Sequence, residues 1–246
     1  MMAHPKISQK FVHFQDLILF EDDHILVVDK PLYMASLDDK SNRNLNHLAK
    51  LYNPDLQLCH RLDKNTSGVL LMAKSPENYR EISLQFQRRQ IKKVYKTLVH
   101  GVHRFENQEV DLPLVVSTNK KVFVNRDNGK KSVTIFNTEE IFRNYTLVNC
   151  QPITGRMHQI RAHLAAIRCP IIGDSLYGGK DIFLSELKRN YNPSGRKEEL
   201  PVNHGYLLHA ESLTLRHPVT EEEMQFLAPY PKNFSVCLKI LEKYNG

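Results

Sequence analysis

The sequence predicts an α+β fold in which strand pairs and helices are interleaved along one chain. Three observations carry this. Residues 17–29, LILFEDDHILVVD, set two apolar runs around Glu21-Asp22-Asp23, a hairpin pattern. Residues 69–73, VLLMA, form an apolar run short enough for a buried strand, and the helix-start sequence Ser75-Pro76-Glu77 follows at once. Further strand patterns then come in consecutive pairs rather than alternating regularly with helices, which points away from a parallel α/β sheet.

The elements follow in order. Residues 1–14 are polar and without a clear period, so a flexible tail is expected. Lys30-Pro31 ends the second hairpin strand. In 41–52, Leu45, Leu48 and Tyr52 fall at helical spacing. Ser75 offers a capping hydroxyl, Pro76 suits the first helical position and Glu77 suits the positive end of the dipole. Tyr79, Ile82 and Phe86 are the expected buried stripe of that helix, and the basic run 87–93 closes it. VYKTLVHG, 94–101, reads as a strand with Val94, Lys96 and Leu98 on one face and Tyr95, Thr97 and Val99 on the other.

Residues 102–131 show little pattern beyond the turn signal Asp127-Asn128-Gly129. SVTIF and YTLVNCQPI read as strands. Residues 154–167 read as a helix with Met157, Ile160, Leu164 and Ile167 on one face, broken by Cys169-Pro170. Residues 180–205 are polar, rich in Lys and Asn, and are expected to be a flexible basic insert. Strands are expected at 206–216 and 222–228, joined by His217-Pro218. A terminal helix is expected from about Pro231, with Phe234, Leu238 and Leu241 facing inward.

No internal repeat or linker divides the 246 residues, so one folded domain over 15–246 is expected. The chain is 41% hydrophobic and 25% charged, which supports a packed core rather than disorder. A net charge of +7 suits a polyanion partner. There is no apolar run of the ~18 residues a membrane span requires, and the start lacks the apolar stretch of a secretory signal. A cytoplasmic protein is expected. The four cysteines form no CxxC pair, so free thiols are expected. The twelve histidines include no HExxH, and no metal or other cofactor is expected.

Chemistry concentrates in two stretches. In His60-Arg61-Leu62-Asp63-Lys64-Asn65-Thr66-Ser67-Gly68, a carboxylate lies between two cations, which favour its charged form. It can serve as nucleophile, base or electrostatic partner, or as a structural acid in a salt-bridged turn. Thr66, Ser67 and Gly68 suit a tight turn made by side-chain-to-backbone bonds. The likeness to the HRD of protein kinases fails, because Leu62 intervenes and no Gly-rich loop precedes it. The second stretch, Thr154 to His163, gathers Arg156, His158, Gln159, Arg161 and His163 at an expected helix start, with Arg156 and His163 on one face and Arg161 on another; phosphate contact, pairing with a buried acid and a solvated basic face all fit. His158 and His163 have no acidic third partner for zinc. Gly173 to Gly179, GDSLYGG, reads as a turn.

Taken together, these stretches resemble the RluA-type family of RNA pseudouridine synthases. HRLDKNTSGVLLMAKS resembles its catalytic-aspartate motif, VYKTLVHG its tyrosine motif, TGRMHQIRAHLAAIRCPIIGDSLYGG its arginine motif, and YLLHAESLTLRHP the element after it. The similarity runs from about Leu17 to Pro229, weaker over 102–131 and 180–205. It implies a mixed, mostly antiparallel central sheet flanked by helices, with a catalytic cleft across the sheet. It implies that Asp63 is the catalytic aspartate, that Tyr95 stacks on the target base and that Arg161 pairs with Asp63, Arg156 being the competitor. It further implies that Arg61 fills the gap left by a flipped base, that Leu208 lines the pocket and that His60 contacts substrate. The implied partner is structured RNA, ribosomal or transfer, acted on by a monomer. The competing reading is an RNA-binding or RNA-folding protein without catalysis. Unlike many relatives, the chain is expected to carry no S4-type RNA-binding module before Leu17, and it has Arg168-Cys169 where a glycine more usually precedes the proline.

Overall fold

The computed structural model describes residues 12–37, 44–189, 191 and 199–245. Strands β1 (Ile18–Glu21) and β2 (Ile25–Lys30) form the expected hairpin. Its turn is held by Asp22, whose carboxylate accepts the His24 and Ile25 amides at 2.8 Å each. Helix α1 (Leu45–Tyr52), β3 (Gln57–Leu58), β4 (Ser67–Ala73), α2 (Pro76–Gln87) and β5 (Lys92–His100) follow. Next come β6 (Gln108–Asp111), β7 (Leu114–Val116), β8 (Val122–Val124), β9 (Val133–Ile141), β10 (Tyr145–Pro152) and α3 (Gln159–Ala166). The chain ends with α4 (Leu184–Leu187), β11 (Leu208–Arg216), β12 (Glu223–Leu227) and α5 (Lys232–Asn245).

The main sheet runs β1-β2-β4-β11-β5-β10-β9-β6, with β3 added to β4 and β12 to β11. The pairings among described strands are antiparallel except β4 with β11, which run parallel through His209–Ser67 and Ala210–Gly68. The expected mixed, mostly antiparallel sheet is therefore present. β11 lies between the amino-terminal strands and the antiparallel set β5-β10-β9-β6, joining two halves distant in sequence.

Alternation along the strands gives each half two packed faces. Leu26, Val28, Leu70 and Met72 pack with Leu45 and Ala49 of α1. Ile25, Val27, Val69 and Leu71 face the other way, toward Ile82 of α2. In the second half, Leu98 and Leu147 meet Phe234, Leu238 and Leu241 of α5 as expected, while Val99, Val148 and Cys150 meet Ile160 and Leu164 of α3.

Several expectations change. The α2 stripe is Asn78, Ile82 and Gln85, whereas Tyr79 is exposed. Asn78 and Gln85 reach backbone carbonyls of His24 and Arg216, so polar side chains fill an inward face with their bonds satisfied. The region 102–131 holds β6, β7 and β8. α3 begins at Gln159, not 154, because His158 adopts a left-handed backbone with φ 52°. Arg156 is thus outside the helix and shares no helical face with His163. Phe14, placed in the expected tail, is buried in a short 3-10 turn, and residues 1–11 lie outside the described residues. The expected insert is anchored at both ends by Ile182 and Asn203, each 1% exposed; residues 190 and 192–198 lie outside the described residues.

Candidate active site

The cleft opens where β4, β11 and β5 lie side by side. Asp63 sits in the loop before β4, Tyr95 in β5 and Leu208 at the start of β11. The loop 153–158 and the first turn of α3 form the opposite wall. The cavity is about 620 Å³, and all seven residues singled out from sequence line it: His60, Arg61, Asp63, Tyr95, Arg156, Arg161 and Leu208.

The loop that carries Asp63 is fixed from several sides. The Thr66 amide donates to the Asp63 carbonyl at 3.0 Å, closing a tight turn. The hydroxyls of this turn do not bond backbone as expected. Thr66 Oγ1 bonds Tyr206 Oη at 3.2 Å, and Ser67 Oγ bonds His209 Nδ1 at 2.9 Å. Ser36 Oγ donates to the Leu62 carbonyl at 2.7 Å and accepts its amide at 3.0 Å. Lys30 is 0% exposed, and its ammonium donates to the Pro31, Met34 and Lys64 carbonyls. Burial lowers the Lys30 pKa to about 7, with Asp63 and Asp29 opposing. The sequence reading had treated Lys30 only as a strand terminator.

Asp63 itself is 32% exposed, open to the cleft. Arg161 Nη1 and His158 Nε2 both lie 3.6 Å from its Oδ2. Both contacts are longer than a hydrogen bond; that of Arg161 is an ion pair, and that of His158 is one only when its ring is protonated. Arg161 is buried and its main anchor is Asp174, to which Nε and Nη2 donate at 2.7 and 2.8 Å. Its guanidinium also sits over the rings of Tyr206 at 4.2 Å and Tyr177 at 4.9 Å. Burial disfavours this cation, but the Asp174 bonds, with Tyr206 and Asp63, outweigh it and raise its pKa. Arg156 is exposed at the rim, with Nε toward the Lys131 carbonyl at 3.4 Å. Of the two arginines, Arg161 is the one beside Asp63.

Tyr95 faces the cleft, and burial together with the Asp63 charge raises its pKa, so the phenol keeps its proton. His60 turns its Nε2 toward the Leu71 amide, which donates at 3.0 Å, and its ring lies tilted against that of Phe86. Burial, aided by Lys93, lowers its pKa to about 3. His60 therefore supports β4 as well as lining the cleft. Lys93 projects from the same face of β5 as Tyr95. Burial lowers its pKa to about 8. His163, by contrast, is a core residue bonded to Thr134 and the Leu112 carbonyl. Among the described residues no group of three His, Cys, Asp or Glu could hold a metal ion.

Sequence reasoning missed Asp174, Tyr177 and Tyr206 and gave His158 no role beside Asp63. GDSLYGG was read as a plain turn, yet it supplies the carboxylate that holds Arg161. A buried arginine requires an acid, and that requirement was the available signal.

Residues 24–166 match the family described as RNA pseudouridylate synthase. The chain is also 36% identical over 238 residues to the ribosomal large subunit pseudouridine synthase C of Buchnera aphidicola subsp. Baizongia pistaciae, covering 93% of this chain and 71% of the relative. The chain belongs to the RNA pseudouridylate synthase family. A relative of the same name from Escherichia coli strain K12 is 35% identical over 241 residues, covering 95% of this chain and 72% of its own. The solved structure of human RNA Pseudouridylate Synthase Domain Containing 4 superposes with a TM-score of 0.69 at 27% identity, covering 93% of this chain and 95% of that one. This synthase is accordingly an isomerase acting on RNA. Among its described residues, no helix is long and apolar enough to cross a membrane.

Proposed function

We propose that the synthase isomerises uridines of large-subunit ribosomal RNA, with Asp63 acting on a nucleotide swung out of its stack into the cleft. The observation that carries this reading is Asp63 opening onto a 620 Å³ cavity with Arg161 and His158 both 3.6 Å from one of its oxygens. Relatives named as ribosomal large subunit pseudouridine synthases support that substrate class.

The reaction breaks the N1–C1′ bond, turns the uracil and rejoins it through C5, whose proton goes to solvent while N1 takes up a proton. It consumes no oxidant, reductant or energy source. It needs a carboxylate at the nucleotide and a pocket that retains the freed uracil. A stacked base is out of reach, and extruding it costs a few kcal/mol. Arg61, exposed at the cleft mouth, fills the vacated stack in this reading. Tyr95 stacks on the base, and Leu208 supplies an apolar wall. Arg156 and Arg89 at the rim, with Lys93 inside, meet phosphates. Domain limits, the monomeric state and a cytoplasmic location remain parts of this proposal.

The test is tritium release from protein-free large-subunit ribosomal RNA labelled at uridine C5. Wild type is expected to release tritium, and Asp63→Asn to release none while binding the RNA within about threefold of wild type. Tritium release by Asp63→Asn at the wild-type rate would refute the role of Asp63. RNA binding without release by either protein would favour the binding-only reading.

A further inference from the structure

The two basic contacts to Asp63 fall on the same oxygen. Arg161 Nη1 and His158 Nε2 both lie 3.6 Å from Oδ2, and among the described residues Oδ1 takes part in no hydrogen bond. Among the described residues, the contacts that hold the carboxylate thus converge on Oδ2.

The far side of the His158 ring explains how it can take part. Its Nδ1 lies 3.0 Å from Tyr177 Oη, and the same oxygen accepts the Val122 amide at 3.0 Å. With its lone pair given to that amide, the phenol has its own proton to donate, and Nδ1 is the acceptor in reach. The ring proton then sits on Nε2, the nitrogen aimed at Asp63. The His158 and Tyr177 rings meet edge to face at 5.8 Å, which fixes the imidazole plane. His158 also carries a left-handed backbone, φ 52°, a conformation a non-glycine residue holds only where its surroundings impose it. The charged groups facing the ring are Asp63, Arg161, Asp174 and Arg61. Burial lowers the His158 pKa against the pull of Asp63, with Arg161 and Arg61 adding to the lowering and Asp174 opposing, so the ring is mostly neutral at pH 7.

We propose that Tyr177 sets the tautomer of His158, and that His158 and Arg161 together hold Asp63 Oδ2 so that Oδ1 is the oxygen presented to uridine. His158 is a positioning residue and not an acid or base. The 3.6 Å contacts are those of the free enzyme and are expected to tighten in the RNA complex, as catalytic contacts commonly do once substrate binds. The inference rests on the reading of Asp63 as the reacting carboxylate.

Two measurements test it. In nitrogen-15 NMR of histidine-labelled wild type, His158 is expected to show an unprotonated Nδ1 at pH 7, and Tyr177→Phe to show a mixture of tautomers. In tritium release at saturating labelled large-subunit ribosomal RNA, His158→Ala is expected to lose kcat by about 10- to 100-fold, with KM within about threefold. His158→Gln, whose amide can still donate, is expected to recover most of that loss. Protonated Nδ1 in the wild type, unchanged kcat in His158→Ala, or equal losses in the Ala and Gln variants would each overturn the proposal. If His158→Ala does not fold, the wild-type tautomer and the Tyr177→Phe spectrum decide. A wild type that releases no tritium sinks the Asp63 reading and this inference together. A wild type that turns over with Nδ1 protonated sinks this inference alone.

Discussion

Arg161 shows how a single residue can be legible in sequence while its surroundings are not. Its place in HQIR marked it as the cation for Asp63, and it does lie beside that acid. Yet its strongest bonds go to Asp174, 1% exposed and thirteen residues on, which local patterns could not pair with it. Which way a side chain turns is settled by packing between elements, and sequence spacing says little about that beyond one helix face or strand. Removing one partner of a buried pair leaves an uncompensated charge. Asp174→Asn is therefore expected to destabilise the fold by about 3–5 kcal/mol in urea unfolding at pH 7. Arg161→Met, which removes the charge along with the bonds, is expected to lower turnover far more than RNA affinity. Equal losses in turnover and affinity would make Arg161 a phosphate contact instead.

At the scale of elements, strands with long apolar runs and capped helices were readable, and short or polar ones were not. β2, β4, β10 and α2 announce themselves by burial pattern and by the Ser75 cap, whose hydroxyl accepts the Asn78 amide at 3.2 Å. β6, β7 and β8 have only three or four residues each, and their mixed side chains carry no period that separates them from loop. The late start of α3 depends on the backbone of His158, which nothing in the local composition signals. Gly68, read as a turn residue, turns out to enable the parallel pairing of β4 with β11. It has φ 111°, and a Cβ there would stand 2.1 Å from the Ala210 carbonyl oxygen. Gly68→Ala is expected to cost about 3 kcal/mol or more, read as a lowered urea midpoint. On the same strand pair, His209 is 0% exposed, accepts from Ser67 and donates to the Ala228 carbonyl at 3.2 Å. Burial lowers its pKa to about 4 against an ordinary 6.5. The unfolded chain then takes up the proton first, so stability is full above about pH 6.5 and falls as pH drops toward 4. Between pH 6.5 and 5 this one ring is expected to remove about 2 kcal/mol. His209→Gln should flatten that part of the pH–stability curve.

For the whole molecule, the fold class and the order of the four motifs could be read from sequence, and the site then follows from how the sheet joins its halves. The charge of +7 and the arginines at the cleft rim predict RNA binding that weakens linearly in log affinity against log salt. Arg89→Gln is expected to reduce that slope by about 1, measured by filter binding on large-subunit ribosomal RNA. A slope equal to wild type would place Arg89 off the RNA path.

The seating of β11 between β4 and β5 also bears on when the protein becomes competent during its own synthesis. Leu208 and its neighbours complete the wall beside Asp63, but they follow it by about 145 residues, so a nascent chain that already displays the aspartate loop has a gap in the middle of its sheet. Closure of that gap is a long-range event with a large loop to restrict, and such pairings come late. A ribosome making this protein therefore carries a half-built and inert isomerase until the return strand has emerged and slotted home.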